Sequence, residues 1–413
     1  MRVSPTDVSE DSLQAIEALE ERLRRYPAER YPIQHATACF HLGLALTTAG
    51  RLPEAAASLE QAAALFEQRL LPEHAKSLNA LGAVFRMQAR HPEAANAFQR
   101  AADEFQLADL AREYGAAVYN LGLVQRDMGD VAAATETFRR AATIFEEKDG
   151  QARAAATREL GVTLLGEGKF EAAAEALTEA MALAERAGDQ RGLGAATNTL
   201  GVALLAASRP QPAIEAFRRS AAANPRPVRA AEYAMAKANL ALAYAEFNDP
   251  ERAHVAAGQA LAVAQASEAV RSQAVDILRR VGANPAALLN VLRDEPLEAW
   301  AGILREEFMR WCDLEAEELA HELAAWISGQ VADAREADLA EAWVGALLEL
   351  RPEEMERIIR ALLDVLARQA PTIRDPFRAQ LATAMARFHA PQWERLKSIM
   401  NRVATELGQE PSW

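Results

Sequence analysis

The chain has few aromatic residues, at 6%, and only two cysteines in 413 positions. Cys39 and Cys312 stand far apart and make no disulfide framework, which fits a reducing cytoplasm. No stretch alternates apolar and polar residues in the manner of a half-buried strand. Abundant alanine with scarce aromatics favours close-packed helices over sheets. No apolar run reaches the roughly 18 residues of a membrane-crossing helix, and the opening "MRVSPTDVSEDSLQ" has no apolar signal core. Positive charge is also short. A formal net charge of -14 argues against nonspecific nucleic-acid or anionic-membrane binding, since both need a basic face. The acid is concentrated: residues 291–350 hold 15 acids against 4 bases, while 351–413 come to +2. With half its residues hydrophobic, the chain is not disordered, and its length suits two domains or one elongated array.

What is present is repetition. "NLGLVQRDMGDVAAATETFRRA" (120–141) has near-copies on both sides. Leu-Gly recurs at Gly43, Gly82, Gly122, Gly161 and Gly201, with Ala241 in a sixth copy; the steps are 39, 40, 39, 40 and 40 residues. Twelve residues on comes Ala55, Ala94, Ala134, Ala173, Ala213 or Ala253. Four further on stands Leu59, Phe98, Phe138, Leu177 or Phe217, with Ala257 as the exception. Three more give Ala62, Ala101, Ala141, Ala180, Ser220 and Ala260. Small residues mark places where two helices nearly touch, and the large one fills the gap beside them. Breakers separate the helices: Gly50-Arg51, Gly129-Asp130, Gly168-Lys169 and Asn248-Asp249-Pro250. Each copy is therefore two antiparallel helices that bury their apolar faces only by stacking.

This pattern resembles the tetratricopeptide repeat (TPR) over residues 35–266, six units in all. The common unit has 34 residues; these run to about 40 and are similar to the long units of kinesin-light-chain-type and bacterial peptide-sensing arrays. The extra length falls in stretches such as "FEQRLLPEHA" (66–75) and "FQLADLAREYGA" (105–116). The resemblance implies an all-α fold: a superhelix of antiparallel helix pairs, followed here by a C-terminal helical domain.

Residues 1–34 read as an N-terminal capping helix with Leu13, Ile16, Leu19 and Leu23 on one face and Ser9 as N-cap. Residues 267–290 read as a closing helix, Ser267 to Val281, ended by Gly282, with Pro285 opening a linker. All six tryptophans follow: Trp300, Trp311, Trp326, Trp343, Trp393 and Trp413. This marks residues 291–413 as a second, acidic domain. Its period and its prolines predict helices near 296–311, 313–331, 335–350, 352–369, 372–389 and 391–408. The tryptophans belong to its core and its junction with the array. An aromatic-lined pocket or a dimer face is the other reading.

No motif makes a case for catalysis or a cofactor. His35, Cys39 and His41 invite a metal reading, but Cys39 sits at a repeat packing position and His41 points away. Glu318-x-x-His321, beside Glu315 and Glu317, is half of a di-iron helix signature, with no second copy. "HELAAW" (321–326) has Ala325 where a zinc-protease helix has histidine, and "GEGKF" (166–170) is an interhelical turn rather than a phosphate loop.

In the TPR family the first helix of each unit lines a concave ligand face. Carried over, the family's contact positions fall here on Lys76, Asn79, Arg86, Tyr119, Asn120, Arg126, Arg158, Glu159, Asn198 and Asn239, with His41 and Thr47 in the first unit. Helix interiors disfavour asparagine, yet it recurs at matched places in four units. An asparagine amide both donates and accepts, which suits the backbone of an extended peptide; pairing between neighbouring helices is the structural alternative. Lys76, Arg86, Arg126 and Arg158 would favour an acidic segment or a C-terminal carboxylate. Arg158-Glu159 reads as a local ion pair.

The resemblance implies a protein–protein adaptor or scaffold with a protein or peptide partner. A peptide-sensing regulator that tightens on its ligand is a second reading, and an enzyme or ligand module in residues 296–413 a third. Homodimerisation stays open, and the alanine- and arginine-rich composition fits a high-GC bacterial genome.

Overall fold

A computed structural model describes residues 10–67, 69–145, 149–282, 284 and 286–411. The expectations for Ser9, Pro285 and Trp413 fall outside them. The described residues are helical with no strand, and no helix among them is long and apolar enough to cross a membrane. The chain divides into two compact units, residues 1–207 and 208–413.

The N-terminal unit runs α1 (Glu10–Arg25), α2 (Pro32–Thr48), α3 (Leu52–Phe66), α4 (Leu71–Met87), α5 (His91–Leu107), α6 (Ala111–Asp127), α7 (Val131–Ile144), α8 (Gly150–Gly166), α9 (Phe170–Arg186) and α10 (Gln190–Ala206). Proline at the first turn starts α2, α3, α4 and α5, where its missing N–H is no loss. Aspartate caps α7, α8 and α10: Asp130, Asp149 and Asp189 accept from the backbone N–H three residues on. Each helix packs on the next, and each first helix (α2, α4, α6, α8, α10) also meets the next first helix. This is the α-solenoid the repeats require.

The repeated small residues sit where expected. A Cβ placed on Gly82 would lie 2.9 Å from the Phe98 ring, and one on Gly122 would lie 2.8 Å from Phe138. At Gly43 and Gly161 the neighbour is Leu59 or Leu177, at 2.5 Å. Ala55, Ala94, Ala134 and Ala173 have no exposed surface at all. In α1 the buried stripe begins at Ile16 and continues through Leu19 and Leu23. Leu13, expected on the same face, remains 46% exposed.

The turn from first to second helix takes one left-handed residue in every repeat. Gly50, Gly129 and Gly168 have φ of +74°, +81° and +75°, and Ala89, Ser208 and Asn248 adopt the same conformation at +58°, +59° and +63°. The following residue donates back across the helix end, as in Arg90 N to Phe85 O at 2.8 Å. An alanine here bears a steric penalty that glycine does not. Ala89→Gly is therefore expected to stabilise the N-terminal unit by about 1 kcal/mol. Urea denaturation monitored by circular dichroism checks this; an unchanged or lowered midpoint would refute it.

The C-terminal unit runs α11 (Pro210–Ala223), α12 (Ala230–Glu246), α13 (Pro250–Leu261), α14 (Glu268–Val281), α15 (Ala287–Asp294), α16 (Leu297–Trp311), α17 (Ala316–Val331), α18 (Glu336–Leu348), α19 (Pro352–Ala367), α20 (Pro371–Met385) and α21 (Ala390–Glu406). Ser267 caps α14 and Gly282, at φ +82°, ends it. From α16 onward, alternate helices are neighbours: α16, α18 and α20 form one row, and α17, α19 and α21 another. One apolar core joins the rows. Trp300, Trp311, Trp326 and Trp343 are buried in it, and Trp393 packs on its edge. The Phe308 ring bridges two of them, 5.3 Å from Trp311 and 5.3 Å edge-on to Trp343.

Candidate functional site: the face of the first helices

The side chains singled out in the N-terminal unit gather into two clusters. On α4 and α6, Asn120 Nδ2 donates to Asn79 Oδ1 at 3.2 Å, so two rungs of the expected asparagine ladder bond to each other. Two turns further along these helices, Arg86 Nε donates to Asp127 at 2.6 Å. On α6 and α8, Arg126 and Arg158 converge on one carboxylate, Glu159, which is 5% exposed. The Arg158–Glu159 pair expected from sequence is thus half of a three-member cluster. Tyr119 lies edge-on to the buried Phe138, with centroids 5.8 Å apart, and the Arg126 guanidinium is 5.8 Å from the same ring centre. Burial, and then the Glu159 charge, push the Tyr119 phenol above its ordinary value.

The remaining candidates stand apart. Lys76 is exposed, 3.6 Å from Glu73 of its own helix. Asn198 is buried on α10. Asn239 belongs to the C-terminal unit, where its carbonyl accepts from Gln273 Nε2 of α14 at 3.1 Å. Thr47 donates to the Gly43 carbonyl at 2.7 Å and His41 is exposed. The positive charge anticipated on this face is therefore largely answered within it: Asp127 neutralises Arg86, and Glu159 serves two arginines.

Removing Glu159 leaves Arg126 and Arg158 facing each other with no counter-charge. Glu159→Ala is expected to cost about 1–3 kcal/mol, whereas Asn120→Ala, which breaks one half-exposed amide pair, costs about 0.5–1.5 kcal/mol. Thermal denaturation of the two variants checks the order, and a larger loss for Asn120→Ala would contradict it.

Sequence reasoning missed a row on the same face. The residue after each packing glycine is apolar: Leu44, Ala83, Leu123, Val162 and Val202. None is buried; Leu44 is 40% exposed and Val202 37%, with Leu123 and Val162 half-buried. Met87, near the end of α4, is 58% exposed. The signal was the repeat spacing itself, but an apolar residue inside a helix reads as core.

His35 and Cys39, weighed for metal binding and set aside on sequence, have structural surroundings here. His35 uses both ring nitrogens, Nδ1 with the Tyr26 carbonyl at 2.8 Å and Nε2 with Gln61 at 3.1 Å. Burial pushes the Cys39 thiol up to about 11, and burial followed by Glu354 does the same to Cys312. The C-terminal unit contains a cavity of about 1100 Å³ lined by α13 to α17. Leu261, Leu278 and Leu288 form its apolar wall, Glu307 and Arg310 its polar one, and Glu315, Glu317, Glu318 and His321 stand at its rim. The described tryptophans lie in or against the core, the first of the two readings made from sequence, and none lines this cavity.

A family model described as tetratricopeptide repeat matches residues 34–103, 114–186 and 152–226. No curated protein matches the chain. Among solved structures, the apo form of RapI is similar over 82% of this chain and 97% of its own, at TM-score 0.54 and 10% identity, a likeness of fold alone. BtubC (BKLC) from P. vanneervenii is 17% identical over 52% of this chain and 91% of its own, at TM-score 0.46. YrrB, described as a TPR protein with an unusual peptide-binding site, is 20% identical over 51% of this chain and 94% of its own, at TM-score 0.37.

Proposed function

We propose, from the match of residues 34–103 and 114–226 to the tetratricopeptide repeat model, that the chain is a protein–protein adaptor whose first-helix face holds a peptide or partner protein. In this reading residues 35–266 are the recognition array. Residues 291–413, which share one compact unit with the last repeats, supply a second contact or an output. The observation that carries it is the juxtaposition on one face of an unburied apolar row with the Asn79–Asn120 and Arg126–Glu159–Arg158 clusters. Leu44 and Val202 stand exposed at matched positions of their repeats, a regular spacing that a partner can engage. Arg126 and Arg158 share one carboxylate, and a partner segment bearing acid would compete with Glu159 for them.

The test is quantitative capture with the full chain as bait, beside the variant Asn120→Ala/Arg126→Ala/Asn198→Ala. Each recovered partner is then purified and its Kd measured. The expected result is a partner whose affinity falls tenfold or more in the variant. A partner set bound with equal affinity by both baits would place the function elsewhere.

A further inference from the structure

We infer that the cavity of the C-terminal unit binds an organic cation with an apolar body. Its walls come from residues 254–322 alone, so nothing in it depends on the first-helix face. At about 1100 Å³ it is slightly larger than ordinary ligand sites, which span roughly 300–1,000 Å³. Leu261, Leu278 and Leu288 offer apolar surface for such a body to cover. The polar wall is fixed internally. The fully buried Glu307 accepts from Gln259 Nε2 and from Arg310 Nε, each at 2.7 Å, and Arg310 reaches Glu322 at 2.9 Å. These groups hold α13, α16 and α17 around the space.

The lining has a sign. Six carboxylates (Glu307, Asp313, Glu315, Glu317, Glu318 and Glu322) stand against two guanidiniums, Arg271 and Arg310. Two more arginines reach the edge from outside: Arg226 pairs with Asp313, and Arg357 donates to the Leu314 carbonyl. Even with these, six acids meet four bases. Arg271 spends its N–H groups on the backbone carbonyls of Val263, Ala264 and Ala266, at 3.0, 3.0 and 3.2 Å. Glu315, Glu317 and Glu318 are exposed and form no ion pair among the described residues. Glu317 and Glu318 stand in the first turn of α17, where the helix dipole favours acid. The dipole accounts for their place without removing their charge from the rim. A concave wall of low dielectric lined mainly by one sign concentrates the opposite one.

The spacing of the acids chooses among cations. No three His, Cys, Asp or Glu side chains among the described residues come together to hold a metal ion, so a compact inorganic cation finds no cage here. An ammonium or guanidinium needs only one or two carboxylates. An apolar body attached to it covers the leucines, which gain nothing from a hydrated ion. Two sources supply this chemistry: a free amphiphilic amine, and a peptide segment with Lys or Arg beside an apolar side chain.

The probes are three dansyl compounds with one apolar body: dansylcadaverine, which carries an ammonium, the neutral N-pentyldansylamide, and the acid 6-(dansylamino)hexanoate. Each is titrated with the full chain and followed by dansyl fluorescence. The expected result is a cation bound about tenfold tighter than the other two, and weakened several-fold as salt rises from about 50 to about 500 mM. In Glu315→Gln/Glu317→Gln/Glu318→Gln the preference for the cation should fall about fivefold. Ala264→Trp, at an exposed lining position, should weaken the cation about tenfold by filling the mouth. The comparison of the three compounds uses the wild-type chain, so it holds whether or not the variants fold. An mRNA-displayed library of random octapeptides, selected on the full chain and counter-selected on Ala264→Trp, separates the sources. Enriched sequences that pair Lys or Arg with an apolar residue and displace dansylcadaverine assign a peptide; a library with no enrichment assigns the free amine. Equal affinity for the three compounds would reduce the site to an apolar pocket and overturn the assignment. So would a chain that binds none of them, or a preference for the cation that survives both variants.

Discussion

Phe138→Ala is expected to destabilise the N-terminal unit by about 3–5 kcal/mol, and Gly122→Ala by about 1–3 kcal/mol. Made together, they should cost less than their sum by at least about 1 kcal/mol. The Phe138 ring has no exposed surface and lies where a Cβ on Gly122 would fall, 2.8 Å from it. Alone, the truncation leaves a cavity and the added methyl overpacks the contact. Together, each relieves the other. The sixth repeat already carries that pair: Ala241 stands in the glycine position and Ala257 in the aromatic one, both fully buried. Stability in stacked repeats is a sum of local and neighbour terms, so hydrogen exchange of α6 and α7 amides is the proper readout beside the global melt. Strict additivity would mean that the glycine is kept for something other than room for the ring. Phe138 also backs Tyr119 and Arg126 on the first-helix face. Its loss should therefore loosen the Arg126–Glu159 contact, which ties core packing to the proposed binding surface.

The helix pairs were legible because a close helix contact restricts residue size so strongly. Gly43, Gly82, Gly122 and Gly161 each announce a contact that the structure contains. The helices α16 to α21 were legible for a different reason: Pro352 and Pro371 stand at first-turn positions, where proline is tolerated and few other signals are needed. Helix α15 was not. Its eight residues, ALLNVLRD, lack a side-chain cap and are too short to show a period. The left-handed turn at Ala89 was also hidden, since nothing in alanine marks a positive φ. On the candidate site, positions were readable and partners were not. Asn79 and Asn120 are separated by 41 residues, and their bond depends on how two repeats stack. The same holds for Glu159, whose second arginine comes from the preceding repeat. A side chain's availability to a ligand is decided by such pairings, and sequence spacing alone does not contain them.

Glu307→Ala should be at least as damaging to the C-terminal unit, at about 3–5 kcal/mol. This glutamate has no exposed surface, yet it lines the cavity beside α13 and α17. Its two oxygens are both used: Gln259 Nε2 of α13 donates at 2.7 Å, and Arg310 Nε of α16 donates at 2.7 Å. Arg310 reaches on to Glu322 of α17 at 2.9 Å, so one chain of polar contacts joins three helices. Truncation leaves a buried guanidinium with half its counter-charge and an amide with no acceptor. Glu307→Gln preserves the shape and some of the hydrogen bonding while removing the charge, and it should lose about 1–3 kcal/mol. Glu307→Leu/Arg310→Leu takes out both ions and should fall below the sum of its single changes, because a buried ion pair is costly mainly when broken from one side. Denaturant melts of the full chain, read with hydrogen exchange over α13, α16 and α17, measure all four variants. If alanine and glutamine were equally harmful, charge would be irrelevant and packing around residue 307 would be the whole effect. If the double leucine change were as harmful as the two single changes summed, the polar chain would be holding the three helices in register rather than merely neutralising itself.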